Sequence, residues 1–459
     1  MKHRKSSIHR KFHSLPKLRF KEITLTSFAG LILYQKLFKR IDLKRKLRQC
    51  FQHLKVNPTY GAPVVFLQLI IHVLLGFRQL RHQAYYQDDP MVKRVLGLTQ
   101  LPDVSTVTRS LASLDARSIT NLQNLLRQLV VNRLRHLALD SITLDFDGSV
   151  IGTNKHAEGS AIGFNRKKKG QRSYYPLFCT IAELGQVLDV LHRSGNVHDS
   201  NGAKTFILQC IQHVRQELPG TTIELRMDSA FFSDDIVTEL DALDNVEYCI
   251  SVPFSRFIEL KGFIEKRQRW RIMNDRFKYF EKQWKPSSWS RRHRFIFVCQ
   301  KVNRPLKGPL QLDLFEQLEV GHDYNVMVTN KIDTAEMVLD FHHGRGSQEG
   351  LFAELKSHNH LDYIPSKRWH GNQAYLLATL FAHNLNREIQ MSGTDPQRKP
   401  SAKRAALWRF EKLNTQRQRL IQRAGRLIRP NGQLSLSMAA NDAVKVEIVN
   451  CLARLEKAA

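Results

Sequence analysis

The feature that most restricts the fold of this chain is a change of hydrophobic period at Ser141. From about Ile23 to Arg135, apolar residues recur three and four positions apart, which is typical of amphipathic helices. The segment SITLDFD, which begins at Ser141, instead alternates apolar and polar side chains, as a half-buried strand does. The period change excludes an all-helical and an all-β chain, and it predicts a helical N-terminal region followed by an α/β region.

The elements predicted after this first strand alternate in kind. The segments YYPLFCTIAE and QVLDVLHRSG are predicted as a second and a third strand, joined by a tight turn at Leu184 and Gly185. A helix capped by Ser200 follows, then a strand ending at Asp228, a short helix and the strand VEYCISV. The predicted order is three strands, a helix, a strand, a helix and a strand. This is the order of a ribonuclease H-like mixed sheet flanked by helices.

A β-rich insertion is predicted from residue 254 to about 323, before the strand DYNVMVTN resumes the sheet. It contains Trp270, Trp284 and Trp289 among dense basic residues. Aromatic rings interleaved with arginine stack unpaired bases, with about 1 to 3 kcal/mol for each base. The alternative is that two of the three tryptophans form the core of the insertion.

The stretch FHHGRGSQEGLFAELK, from Phe341 to Lys356, places three charges at helical spacing. Arg345, Glu349 and Lys356 are four and seven residues apart, so they share one face of a helix that begins near its two glycines. Alone, such a stripe is more often a solvated face with intrahelical ion pairs. Glu354 lies about 140° round the helix from Glu349 and is therefore predicted to be a surface acid.

The helical region contains one candidate for base recognition, the segment LPDVSTVTRSLASL. Asp103 or Ser105 is predicted to cap a short helix there. That helix would direct Thr106, Thr108 and Arg109 outward, as in the recognition helix of a helix-turn-helix motif. A plain helical bundle fits this segment equally well.

The charge of the chain favours a polyanionic partner. It contains 71 Lys and Arg against 42 Asp and Glu, a net charge of +29, and nucleic acid is the commonest polyanion for such a protein. No run approaches the roughly 18 apolar residues that a spanning helix needs, and no apolar signal-peptide core follows the basic N-terminus. The six cysteines are scattered, which argues against a disulfide or zinc framework. The sequence therefore predicts a cytoplasmic protein without a membrane partner.

Three acids lie on three predicted elements: Asp147 and Asp228 at strand ends, and Glu349 on the later helix. The two aspartates converge if their strands are neighbours. Three clustered carboxylates repel one another, by about 4 kcal/mol per pair at 4 Å, and divalent cations relieve that repulsion. Oxygen ligands suit Mg²⁺ or Mn²⁺, and two such ions catalyse phosphodiester cleavage. Asp145, on the same strand face as Asp147, is an alternative first ligand.

These residues resemble the DDE group of bacterial insertion-sequence transposases, in the branch with a Tyr, Arg, Glu and Lys signature. Arg345, Glu349 and Lys356 match that signature in register, and His342 takes the place of the tyrosine. The motifs DGS at 147–149, RMDSAFFS and NQAYLLATLFAHNL add to the resemblance, which covers about residues 140 to 390. It implies a ribonuclease H-like domain, cleavage at the ends of an element and strand transfer into target DNA.

The resemblance also implies residue roles and partners. Asp147, Asp228 and Glu349 would hold two Mg²⁺ or Mn²⁺ ions, while Arg345, Lys356 and the position of His342 would contact DNA phosphates. The partners would be double-stranded DNA in the nucleoid and a second copy of the chain in the synaptic complex. Two other interpretations remain, a DNA-binding protein without catalysis and another ribonuclease H-like nuclease, such as a resolvase or an RNA-strand hydrolase.

The sequence thus predicts six regions along the chain. They are a basic arm (1–22), a helical DNA-binding region (23–138), a catalytic domain in two parts (139–253 and 324–392) separated by the β-rich insertion (254–323), and a basic C-terminal region (393–459).

Overall fold

A large mixed sheet and many helices make up the computed structural model of this chain. It describes residues 15–55, 59–154, 156–163, 165, 168–197, 202–302, 321–401 and 403–457. The helices are α1 Leu31–Arg40, α2 Leu43–Cys50, α3 Ala62–Leu75, α4 Pro90–Leu96, α5 Val104–Ala112, α6 Ala116–Leu137, α7 Ala203–Glu217, α8 Asp234–Asp241, α9 Ile258–Glu265, α10 Ala335–His343, α11 Gly346–Ser357, α12 Trp369–Gly393, α13 Leu413–Gln416 and α14 Asp442–Lys457.

The strands agree with the predicted period change at Ser141. They are β1 Leu25–Thr26, β2 Ser141–Gly148, β3 Ile151–Gly152, β4 Ala161–Ile162, β5 Arg172–Tyr174, β6 Leu177–Ile181, β7 Gln186–Leu191, β8 Thr222–Met227, β9 Val246–Ser251, β10 Arg271–Ile272, β11 Phe277–Trp284, β12 His293–Lys301, β13 His322–Thr329, β14 Gly425–Ile428 and β15 Ser435–Met438.

The main sheet has the order β10-β11-β12-β13-β9-β8-β2-β6-β7. Strands β2, β8 and β9 are parallel to one another, β6 pairs antiparallel with β2, and β7 pairs antiparallel with β6. The predicted succession of strands and helices from β2 to β9 is therefore confirmed. In the β2–β8 ladder Phe146 is opposite Met227. The residues that follow them, Asp147 and Asp228, therefore lie at the same end of two adjacent parallel strands.

Two β features of this region differ from the prediction. No strand was predicted between the strands β2 and β6, but β3, β5 and β4 form a small three-stranded sheet there. The insertion strands extend the main sheet, since β12 pairs with β13 and β13 pairs with β9. Alternate residues of β12 pack on the two faces of this extension, with Phe295 and Phe297 on one and Ile296 and Val298 on the other.

The helical unit is built from both ends of the chain. One apolar core joins helices α1 to α6 with α11, α12, α13 and α14. Strand β1 pairs with β14, and a Cβ at Gly30 would lie 1.8 Å from the carbonyl oxygen of Leu420, so the two terminal segments are in close backbone contact. The predicted basic C-terminal region is therefore folded, because its apolar residues complete the core of the N-terminal helices.

Predicted helix ends agree in part with the structure. Asp103 caps α5, where its carboxylate accepts a hydrogen bond from the Thr106 amide, as predicted. Ser200 and residues 1–14 of the basic arm lie outside the described residues. Among the helices that are described, none is long and apolar enough to cross a membrane.

Candidate active site

Each strand-end aspartate also organises the turn that follows it. Asp147 accepts a hydrogen bond from the Gly148 amide at 2.8 Å, and its side chain is 21% exposed. Asp228 accepts from the Ala230 amide at 3.0 Å and caps the short 3₁₀ turn Ser229–Phe231. Since β2 and β8 are parallel neighbours, both carboxylates lie at the carboxyl edge of the sheet, where open α/β sheets bind ligands.

The helix that carries Glu349 is docked on the same strand end by its neighbour. Gln348 is buried, and its amide donates to the carbonyl oxygen of Asp145 and to Thr180 Oγ1, both at 3.1 Å. These bonds attach the first turn of α11 to β2 and β6. Glu349 itself is exposed. Arg345 precedes the helix, and its Nη1 lies 3.6 Å from Asp147 Oδ2, so this predicted phosphate ligand faces an acid.

The donor chemistry at the two strand ends suits a hard divalent cation, because adjacent carboxylates supply oxygen ligands. Across the ranges that the structure describes, however, no three His, Cys, Asp or Glu side chains are grouped closely enough to hold a metal ion. Asp147, Asp228 and Glu349 are therefore not grouped as a three-ligand site in the described part of the chain. Arg345, which precedes α11, and Asp147, at the end of β2, form an ion pair between these two elements.

The alternative ligand Asp145 is inaccessible. Its side chain is 1% exposed, and its two carboxylate oxygens accept from Arg226 Nε and Nη2 at 2.6 and 2.7 Å. A carboxylate held in this way is already paired and has no open side towards solvent. Asp145 is thus not available as a ligand on β2.

His342 does not lie where a phosphate contact would require it. It is 6% exposed and its Nε2 is 2.8 Å from Ser251 Oγ on β9. Burial lowers the pKa of His342 to about 3, so the ring is neutral at ordinary pH. The expectation of a phosphate-binding residue at this position is corrected, because the side chain faces the sheet from the last turn of α10.

A groove of about 1300 Å³ opens beside Asp228. Cationic side chains from four parts of the chain line it, namely Arg78, Lys168, Arg256 and Lys356. Lys356 therefore lies where a phosphate ligand is expected. The Tyr175 ring also lines the groove and covers Gly148, where a Cβ would lie 2.8 Å from that ring. The close approach explains why glycine follows Asp147.

The tryptophans of the insertion lie behind the groove and not in it. Trp284 and Trp289 are buried core residues, and Trp270 is half-buried against Phe280 and Tyr324. The alternative that two of the three are core is thus the correct one. Two other rings line the groove and pack on these tryptophans. Phe232 stacks on Trp289 at 4.7 Å, and Phe257 meets Trp284 edge-on at 5.8 Å.

The candidate recognition helix α5 presents polar side chains outward. Thr108 and Arg109 are exposed and Thr106 is half-buried, while Val107 and Leu111 anchor the helix in the core. Arg109 Nη2 donates to Thr106 Oγ1 at 3.2 Å, so these two side chains form one polar surface. Contact with bases through this surface stays a prediction.

Sequence reasoning misjudged Glu354 and missed Arg226. Glu354 is 4% exposed, pairs with Arg387 and accepts a hydrogen bond from the Leu413 amide at 2.9 Å, so the expectation of a surface acid is wrong. Arg226 lies two residues before Asp228, and the facing position is Asp145. The sequence contained a signal for this pair, because Asp145 lies two residues before Asp147 and Arg226 lies two residues before Asp228.

The chain is similar to a known protein family and to a solved structure. No curated protein matches it. Among solved structures, a cryo-EM structure of the piggyBac transposase synaptic complex with hairpin DNA matches 85% of this chain and 80% of its own, at 12% identity and a TM-score of 0.41. A TM-score of this size does not establish a shared fold. The family described as Transposase DDE domain group 1 matches residues 10–459, nearly the whole chain. The protein therefore belongs to the DDE transposase domain family, group 1.

Proposed function

We propose that this protein is a DNA transposase that binds the ends of an insertion sequence, cleaves them and transfers the strands into target DNA. The observation that carries the proposal is the end of the β2–β8 ladder. There, Asp147 and Asp228 leave adjacent parallel strands beside a groove lined by cationic side chains. Family membership supports the same conclusion.

The topology supports a ribonuclease H-like catalytic domain. The sheet contains the strands β7-β6-β2-β8-β9 in this order, with helix α7 between β7 and β8 and helix α8 between β8 and β9. This is the succession of three strands, helix, strand, helix and strand that the sequence pattern predicts. The helix with Glu349 is tied to this sheet through Gln348. Strand β2 thus contacts both β8 and the helix that carries Glu349, which supports the proposed role of the three acids.

Asp147, Asp228 and Glu349 are the residues that would hold Mg²⁺ or Mn²⁺. When bound, two such ions supply an activated water or hydroxyl and stabilise the leaving oxygen of a phosphodiester. Lys356 and Arg256 orient DNA phosphates in the groove by charge-assisted hydrogen bonds. Arg345 exchanges Asp147 for a phosphate when DNA enters, and Glu349 then approaches the strand ends.

Partners beyond the cleaved strand follow from the same proposal. Exposed Thr108 and Arg109 of α5 contact the terminal repeats of the element. Two copies of the chain hold two ends in the synaptic complex, and the reaction takes place in the nucleoid of a bacterial cell. The excess of basic residues favours binding to any DNA, so recognition of specific ends depends on side chains such as these.

The decisive experiment replaces the three acids singly with alanine. Each variant is incubated with DNA that carries the element's own ends and with Mg²⁺, and cut sites are mapped at nucleotide resolution. We expect Asp147→Ala, Asp228→Ala and Glu349→Ala to reduce cleavage by at least about 10³-fold, the order expected when a catalytic group is removed. End-DNA affinity should stay near that of the parent protein. Asp88→Ala, at an exposed acid remote from the strand ends, is the control.

The products also separate the alternatives. Element ends joined to target DNA support transposition, whereas nicks without joining, or trimmed RNA, indicate another ribonuclease H-like nuclease. Binding without any cleavage by the parent protein indicates a DNA-binding protein that lacks catalysis. If all three alanine variants cut as well as the parent protein while they bind DNA normally, the assignment of the acids is wrong.

A further inference from the structure

The chain between α12 and α13 lies against the main sheet, although its sequence is rich in proline and basic residues. We call residues 394–401 and 403–409 the strap. It contains one acid, Asp395, which pairs with Arg454 of α14 at 3.1 Å. Its basic residues are Arg398, Lys399, Lys403, Arg404 and Arg409. The strap therefore has a clear excess of positive charge.

Backbone hydrogen bonds hold the two arms of the strap together and attach it to the sheet. The amides of Gln397 and Arg398 both donate to the carbonyl oxygen of Leu407 at 2.9 Å. The Leu407 amide donates to the carbonyl oxygen of Glu183 at 2.8 Å, in the turn between β6 and β7. The base of the strap is thus fixed, and a surface that is already ordered loses less conformational freedom when a ligand binds.

Beyond this base, the strap follows β8 towards the candidate active site. Arg404 Nε donates to Glu224 Oε2 at 2.7 Å, four residues before Asp228. The carbonyl oxygen of Lys403 accepts from Arg226 Nη1 at 2.7 Å, two residues before Asp228. The strap therefore approaches the carboxyl end of β8 as the chain is followed from residue 404 back to residue 403.

The same part of the strap contacts the segment that carries Arg345. A Cβ at Gly344 would lie 2.0 Å from the carbonyl oxygen of Lys403, so only glycine permits the two backbones to approach so closely. Gly344 directly precedes Arg345, whose Nη1 lies 3.6 Å from Asp147 Oδ2. Lys403 is thus placed beside the candidate active site by contacts with two separate elements.

The charges of the strap divide into an inward and an outward set. The Arg404 guanidinium binds inward, on β8. Lys399, Lys403 and Arg409 are exposed, and no carboxylate of the described chain pairs with any of them. Exposed cations on a fixed backbone, without an acid to neutralise them, are suited to bind phosphates.

Duplex DNA is the partner that this surface fits. Lysine acts as a point charge without preference for a base, and the phosphates of a duplex present negative charge at regular intervals. The aromatic side chain of the strap, Trp408, is buried, so the strap offers no ring on which an unpaired base could stack. The composition of the strap thus favours the backbone of a duplex over a single strand.

We propose that the strap is a phosphate-binding surface for duplex DNA, which Lys399 and Lys403 contact beside the candidate active site. This inference rests on the proposed function, because it assumes that DNA is the substrate. It assigns no base contact and no metal contact to the strap. The strap holds the duplex that continues from the cleaved bond, and it does so equally for every sequence.

Three double variants of the full chain test the proposal. Lys399→Gln with Lys403→Gln removes the two charges, whereas Lys399→Arg with Lys403→Arg keeps them. The control, Lys39→Gln with Lys445→Gln, removes two exposed charges from α1 and α14. Fluorescence anisotropy measures the affinity for a duplex with the element's end and for an unrelated duplex of the same length, each at several salt concentrations.

We expect the glutamine variant of the strap to bind both duplexes about 10- to 100-fold more weakly at about 0.1 M salt. Its slope of log affinity against log salt should be shallower by about 1.8, because each lost phosphate contact removes about 0.9. The arginine variant and the control should keep the slope of the parent protein. Methylphosphonate linkages near the cut, which neutralise single phosphates, should weaken binding of the parent protein but not of the glutamine variant.

Several results would overturn the proposal. An unchanged slope in the glutamine variant, or an equal loss of slope in the control, would show that the strap makes no phosphate contact of its own. A loss confined to the duplex with the element's end would indicate base recognition instead.

Failure of this inference and failure of the proposed function give different results. If the parent protein cuts element ends and the glutamine variant binds DNA as the parent does, the role of the strap is refuted and the proposed function stands. If the slope changes as expected but the parent protein neither cuts nor joins DNA, the proposed function is wrong and the strap remains a DNA-binding surface.

Discussion

Glu349 and Glu354 are five residues apart on one helix, yet they occupy opposite environments. Glu349 is exposed beside the strand ends, whereas Glu354 is buried with Arg387. We expect Glu354→Ala to lower the free energy of unfolding by about 3 to 5 kcal/mol, because it leaves the Arg387 guanidinium buried without its carboxylate. Urea unfolding followed by circular dichroism measures the change.

Asp88→Ala is the matched control for this prediction. Asp88 is largely exposed, and its ion pair with Lys93 spans 3.3 Å at the surface. Such pairs contribute about 0 to 1 kcal/mol, so the control should unfold almost as the parent protein does. Equal losses in Glu354→Ala and Asp88→Ala would contradict the buried environment of Glu354.

Buried histidines make the protein sensitive to acid. Burial lowers the pKa of His72, His192 and His342 to about 3 and that of His383 to about 4. Below the unfolded pKa of about 6.5 the unfolded chain binds protons that the folded protein does not. Stability should therefore fall as pH drops below about 6.5, by up to about 1.4 kcal/mol per pH unit for each histidine. Urea unfolding at several pH values measures the slope.

One buried acid acts in the opposite direction. Burial raises the pKa of Glu183 to about 7, so between about pH 4.3 and 7 the folded protein holds a proton that the unfolded chain releases. Its contribution offsets about one histidine. Neither ring nitrogen of His192 has a hydrogen-bond partner among the described residues. His192→Phe should thus reduce the slope by about 1.4 kcal/mol per pH unit without loss of stability at pH 7.5, and an unchanged slope would contradict the argument.

At the scale of single residues, the sequence predicted the position of a side chain along its strand better than its burial. Strand alternation identified Asp147 and Asp228 at strand ends, and the structure places both there. It did not show that Asp145 is paired with Arg226, because alternation assigns a side chain to a face and gives no information on which element covers that face. The role of His342 was expected from its place in the signature, which gives no information on burial, and its side chain contacts Ser251 of β9.

Phe232 and Phe257 form an aromatic wall of the groove, backed by Trp289 and Trp284. Stacking of a base on an aromatic ring contributes about 1 to 3 kcal/mol. We therefore expect Phe257→Leu, which keeps apolar volume but removes the aromatic face, to weaken single-stranded DNA binding by about 5- to 150-fold. Fluorescence anisotropy with a labelled oligonucleotide at fixed salt measures the affinity.

Phe263→Leu is the matched control for Phe257→Leu. The Phe263 ring also meets Trp284 edge-on, at 6.4 Å, but Phe263 is not among the groove-lining side chains of the described chain. Its replacement should affect stability to a similar extent and leave DNA affinity nearly unchanged. If both variants lose affinity equally, the loss reflects packing and the aromatic wall does not contact DNA.

At the scale of secondary-structure elements, the sequence predicted which segments form helices or strands, but not which strands pair with each other. Strand β12 lies in the insertion that was predicted as β-rich, yet its pairing with β13, and through β13 with β9, was not predicted. Both faces of β12 are apolar, so its pattern does not indicate where it pairs. Strands β3 and β4 have two residues each, too few to show any period, and they were missed.

At the scale of the whole molecule, basic composition concealed a folded C-terminal region. Its arginines are not a solvated tail. Arg417 is buried and donates to the carbonyl oxygens of Val73 and Leu74 on α3, and Arg419 pairs with Glu411 and Glu447. Both arginines have partners that are distant in sequence. Only the tertiary fold reveals such partners.

The last helix shows how strongly the two ends of the chain depend on each other. Helix α14 buries Ile448 in the core shared with α1 and α12, while Val449, the next residue, is 54% exposed. We expect Ile448→Ala to lower the free energy of unfolding by about 2 to 5 kcal/mol, through lost burial and the cavity that remains. Val449→Ala should change it by less than about 0.5 kcal/mol, as exposed substitutions do. Urea unfolding, followed by the helical signal in circular dichroism, compares the two, and equal effects would show that α14 does not complete the N-terminal core.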